Sequence, residues 1–65
     1  METSQKSIID EKKNLESKLK NLTVFMTTND FIHLSDENKD LLEWQSSVMM
    51  EYIEILDKRI ELFSA

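Results

Sequence analysis

Apolar residues between Leu41 and Phe63 fall into two parallel stripes. Leu42, Met49, Leu56 and Phe63 stand seven apart, and Ile53 and Ile60 fill alternate positions of the same seam. Leu41, Val48, Ile55 and Leu62 repeat the spacing one position earlier. A seven-residue repeat with filled alternate positions is a helical seam. Each residue advances about 100° around a helix, so the second stripe lies about 100° from the first. Together they make an apolar arc wider than one partner helix can cover. The pattern predicts a helix that packs against a helix of its own chain and also against other chains.

The first part of the chain shows the same period. From about Gln5 to Met26, Ile8, Leu15 and Leu22 form one seam position, and Leu19 and Met26 form the other. Lys12 is the polar exception there, expected to bury its stem and keep its charge in water. Ile9 and Phe25 widen the apolar surface. Residues 1–6 read as a frayed start with Thr3 or Ser4 as the helix cap. Glu16 and Lys20 are four apart, a weak helix-supporting pair. Thr27, Thr28, Asn29 and Asp30 then break the pattern, because their side chains compete for backbone hydrogen bonds. Phe31 and Leu34 are expected to plug the end of the hairpin. Ser35 caps a second helix that runs from about Asp36 to Phe63, roughly 28 residues or about 42 Å. Asp36 and Glu37 sit at its positive end, and Lys58 and Arg59 lie near its negative end. The expected fold is all-α. A single domain over residues 1–65 forms an antiparallel helical hairpin with a long second helix and a short connector turn, assembling into a homo-oligomeric helical bundle.

Composition narrows the function. A chain of 65 residues buries little surface, and folds this small usually add disulfides, a metal or oligomerisation. There is no cysteine, and His33 is the only histidine, which excludes disulfides, thiolate sites and a multi-histidine metal site in one chain. The absence of glycine and proline removes glycine-rich phosphate loops and dinucleotide fingerprints and favours uninterrupted helices. No apolar run approaches the roughly 20 residues that span a membrane, and Met1–Lys6 offers no signal-peptide core. The expectation is a soluble intracellular protein with no membrane partner. The net charge of −5 is unevenly spread: residues 1–26 hold five lysines against four acids, residues 27–65 three bases against nine acids. This balance argues against binding of nucleic-acid polymers. It directs any small-anion site to the first helix, near Lys6, Lys12, Lys13, Lys18 or Lys20.

Candidate chemistry is sparse. The carboxylate pairs Asp10 with Glu11, Asp36 with Glu37 and Asp40 with Glu43 read as solvated helix faces rather than an acid–base couple. His33 beside Asp30 lacks a serine or cysteine nucleophile to serve. No catalytic residue, metal ligand or cofactor is assigned, and the chain is not expected to be an enzyme. Trp44 lies outside the stripes; it suits packing, an inter-chain contact or stacking on a base. Gln45, Tyr52 and Arg59 recur every seven along one edge of the second helix, as a polar rim or a line of ligand contacts. Lys18, at the margin of the first seam, is an exposed lysine that could also meet a phosphate across an interface. From spacing alone this is an oligomeric hairpin of unknown partner. A protein-docking module and an acidic inhibitor of a DNA-binding protein both remain open.

The set Leu15, Lys18, Leu22, Phe25, Phe31, Leu34, Leu42, Gln45, Met49, Tyr52, Leu56, Arg59, Ile60 and Phe63 resembles the helical-hairpin domain of phage anti-CBASS sponges, which the anti-Thoeris sponges share. The resemblance spans about residues 8–63. It implies a phage protein in the host bacterial cytoplasm that binds cyclic oligonucleotide second messengers without cleaving them, and so silences CBASS-type immune signalling. It also implies a homohexamer, a trimer of dimers. Cyclic dinucleotides such as cGAMP would sit between chains, and cyclic trinucleotides near the threefold axis. Lys18 matches the family's dinucleotide-binding lysine and Arg59 its arginine for larger cyclic ligands. Thr3 is the third residue the resemblance assigns to ligand binding; it falls in the region where the family places a stacking aromatic, and no aromatic residue stands there.

Overall fold

The computed structural model describes residues 5–64, which form three helices. Helix α1 spans Gln5–Phe25, α2 is the single turn Asn29–Ile32, and α3 spans Asp36–Ser64. At about 1.5 Å per residue, the 21 residues of α1 cover about 32 Å and the 29 of α3 about 44 Å. The molecule is accordingly a rod of 46 × 21 × 15 Å. Packing between α1 and α3 makes the hairpin. Thr3 and Ser4, the expected caps of α1, lie outside the described residues, whereas Gln5 and Lys6 are helical.

The seam fills much as the period predicts. Ile8 and Leu56 are fully buried, and Leu15, Leu19, Leu22, Leu42, Met49, Ile53 and Ile60 are half-buried along the contact. One seam position escaped the apolar count: Ser46, seven residues before Ile53, is 8% exposed. Its hydroxyl donates to the Glu43 carbonyl at 2.8 Å, so the buried polar group is satisfied within its own turn. Phe63 departs from the expectation. It keeps about half its surface exposed at the extreme end of α3, where it lines the open end of the hairpin with Ile8 and Leu62. The second stripe, Leu41, Val48, Ile55 and Leu62, is exposed throughout, and Trp44 is 68% exposed. Trp44 therefore has no packing role within the chain.

The connector turns the chain without glycine. No described residue has a positive φ. Helix α1 ends instead by tightening: Thr27 and Thr28 donate their backbone N–H to the carbonyls three residues back, at 3.0 Å. Their hydroxyls donate to the same carbonyls, Thr27 to Val24 at 2.7 Å and Thr28 to Phe25 at 2.6 Å. The Thr28 hydroxyl also accepts from the Phe31 N–H at 3.4 Å, so one side chain ends α1 and caps α2. Phe31 closes the hairpin edge-on against Phe25, with ring centroids 6.2 Å apart. Ser35 caps α3 through the Asn38 N–H at 3.2 Å. Because α3 runs on to Ser64, its last turn holds no basic residue. Lys58 and Arg59 therefore lie upstream of the helix end, and the dipole stabilisation expected of them is weak there.

Leu56→Ala is expected to destabilise the protein by about 2–5 kcal/mol, the usual cost of emptying a fully buried leucine site. Thr28→Ala should cost about 1 kcal/mol through the lost cap. Denaturant titrations at one fixed protein concentration measure both.

Candidate functional site: a flank groove and an end hollow

One face of α1 carries Ser7, Glu11, Asn14 and Lys18 at helical three- and four-residue intervals, with Asp10 beside them. Tyr52 of α3 leans across this face, and together these residues line an open groove of about 460 Å³ floored by Leu15. The Tyr52 hydroxyl donates to Glu11 Oε2, which fastens α3 to α1 at the groove. One turn away, Lys12 pairs with Asp57. Lys12 thus departs from a purely solvated end: its stem lies in the seam and its ammonium crosses to α3. No ion pair joins Glu16 to Lys20, and Lys12–Asp57 is the ion pair formed among the described residues. Both of its partners remain partly exposed, so water screens it and it adds little stability.

Two groups respond to these contacts. The hydrogen bond to Glu11 raises the Tyr52 phenol above its ordinary pKa of 10.0, helped by burial and by the Glu11 charge and opposed by Arg59. The bond to Asp57 raises Lys12 above 10.5, against a smaller opposing effect of burial. Both contributions to stability are complete below the unfolded-state values and vanish as pH rises through the higher folded-state ones.

The second hollow, of about 250 Å³, lies at the open end of the hairpin and is lined by Ile8, Arg59, Leu62 and Phe63. It is an apolar surface with a guanidinium on its rim. The structure therefore separates the residues expected to bind ligand: Lys18 lines the flank groove, Arg59 lines the end hollow, and Thr3 lies outside the described residues. Of the edge Gln45–Tyr52–Arg59, Tyr52 joins Lys18, whereas Gln45 turns back on its own helix toward Met49 Sδ at 3.9 Å. Asp10, Glu11 and Asn14 were not singled out by sequence as binding residues. Their spacing with Lys18 along α1 was the available signal, obscured because helical surfaces are usually charged. His33 is exposed at the end of α2 and forms no hydrogen bond with Asp30. Among the described residues no cluster of three or more acidic or histidine groups is placed to hold a metal. No helix among them is long and apolar enough to cross a membrane.

The chain belongs to the Sequestin family, whose family model it matches over residues 2–62. The family name suggests a sequestering role. No curated protein and no solved structure matches the chain.

Tyr52 is the sole tyrosine, so tyrosinate absorbance reports on it alone. Its midpoint is expected above 10.0 and should fall toward that value in Glu11→Ala. The melting temperature of the unmodified protein should decline as pH rises past about 10, where both raised groups begin to titrate.

Proposed function

We propose that the protein is a non-catalytic sponge. It binds cyclic oligonucleotide second messengers stoichiometrically in the bacterial cytoplasm and withholds them from the immune effectors of a CBASS-type system. The observation that carries this reading is the meeting of Lys18 and Tyr52 in one groove. A cyclic dinucleotide presents phosphates and flat bases, and a lysine beside an aromatic ring offers a point charge for the one and a face for the other. Membership of a family named for sequestering supports withholding over conversion.

Each groove is open on one side, so full enclosure of a ligand requires a second copy. The exposed stripe Leu41–Val48–Ile55–Leu62 supplies apolar surface for such copies, in keeping with a homohexamer built as a trimer of dimers. Related copies then bring two Lys18 side chains to the two phosphates of one ligand. The end hollow, with Arg59 above Ile8, Leu62 and Phe63, suits a larger cyclic trinucleotide, whose bases would lie on apolar surface while the guanidinium takes a phosphate.

Lys18→Ala is expected to weaken cyclic-dinucleotide binding by at least about tenfold in calorimetry, since a hydrogen bond to a charged group is worth roughly 1.5–3 kcal/mol. The bound ligand should be recovered intact when the complex is heated; a cleaved product would overturn the sponge. Val48→Asp places a charge in the exposed stripe and should reduce the assembly mass seen in sedimentation, whereas an unchanged mass would remove that stripe from the interface. The same stripe and Trp44 favour a second reading, a hairpin that docks on a host protein. Stoichiometric capture of one host protein with no cyclic nucleotide bound would establish it instead.

A further inference from the structure

The exposed face of α3 carries a matched pattern on either side of Val48. Four residues away stand Trp44 and Tyr52, both aromatic. Seven away stand Leu41 and Ile55, both aliphatic, and eleven away stand Glu37 and Arg59, of opposite charge. At about 100° per residue, offsets of four, seven and eleven all return to within about 40° of Val48, so these residues share one face. All of them are exposed, Trp44 at 68%. Neither Glu37 nor Arg59 forms an ion pair among the described residues.

A two-fold axis sets residue i of one copy against residue j of the other, and j against i. Passed through Val48 and across α3, such an axis lays two copies of the helix antiparallel. Leu41 then meets Ile55, Trp44 meets Tyr52 and Glu37 meets Arg59, each pair occurring twice. Other registers fit worse. A parallel pairing sets Glu37 on Glu37 and Arg59 on Arg59, and like charges placed together are costly. An antiparallel pairing centred between Glu51 and Tyr52 brings the two Glu51 carboxylates together at the axis.

Resting on the assembly proposed above, we infer that this face of α3 is a two-fold interface centred on Val48 and covered by the same face of an antiparallel second copy. A second copy is the occupant because the face complements itself in shape and in charge. The aromatic layer supplies the broad flat contact that interfaces favour, Trp44 of one copy on Tyr52 of the other. Tyr52 also lines the flank groove. The second copy's indole therefore reaches the edge of that groove and covers part of its open side, so each groove is finished by the other copy.

The chain has no cysteine, so single-cysteine variants of the full chain report the register without background. Val48→Cys should be joined into a covalent dimer by a short bismaleimide linker, because facing helix axes lie about 8–10 Å apart. Leu41→Cys alone and Ile55→Cys alone should stay unjoined, since equivalent residues seven positions from the axis lie about 21 Å apart along the helices. An equimolar mixture of those two should give the mixed dimer, and so should Trp44→Cys mixed with Tyr52→Cys. Arg59→Glu should weaken the dimer about threefold or more in sedimentation, and Glu37→Arg in the same chain should restore it. Linkage of Leu41→Cys, Val48→Cys and Ile55→Cys each to itself would show a parallel pairing and overturn the inference, as would failure of both mixtures. An unmodified protein that sediments as an oligomer while Val48→Cys stays unjoined would overturn the register and leave assembly through another face. An unmodified protein that sediments as a monomer at the cross-linking concentration would overturn this interface and the proposed assembly together.

Discussion

Two helices enclose no interior volume. They share a line, and the protomer is built on how that line is filled. Ile8 and Leu56 are the hydrophobic residues fully buried along it; the rest of the seam is covered on one side and wet on the other. Among the described residues every charged side chain therefore stays within reach of water, and none bears the penalty of an isolated buried charge. The same thinness lets long polar side chains bridge α1 and α3 from the margins of the seam, as Lys12 does to Asp57 and Tyr52 does to Glu11. The groove is a by-product of this geometry: it is the valley beside the contact line, roofed where Tyr52 leans across.

The helices and their seam were readable because burial imposes a period. Residues that must face one line recur at fixed intervals, so Leu42, Met49, Ile53, Leu56 and Ile60 announced themselves. Ser46 did not, since a count of apolar residues skips a serine even where its hydroxyl is satisfied by its own helix. The caps at Ser35 and the closing of the turn by Phe31 followed from local chemistry. The groove was less accessible. Glu11 and Tyr52 are separated by most of the chain, and each looks like an ordinary surface residue until the hairpin brings them together. Lys18 was marked by resemblance and by its place on the more basic helix, while its carboxylate neighbours are typical of any solvated helix. Which end of α3 the basic residues serve depended on where the helix stops, the boundary that sequence fixes least sharply.

A valley beside two packed helices differs from an enclosed cleft. A cleft is walled by layers of one chain, whereas this hairpin presents an open valley, a charged α1 face and an uncovered apolar stripe on α3. The stripe and the groove adjoin on α3, because Tyr52 of the groove stands four residues after Val48 and three before Ile55 of the stripe. On the reading proposed above, assembly and ligand recognition would share one side of the hairpin, with the seam as the common support.

The connector between α1 and α2 makes its bend with ordinary backbone angles and a shared threonine hydroxyl. A turn that depends on a left-handed residue is locked to glycine or asparagine at that point. This one imposes no such demand, and rests instead on the Thr28 hydroxyl and the contact of Phe31 with Phe25. The direction in which α3 leaves the tip of the rod is thus set by side chains rather than by an unusual backbone angle.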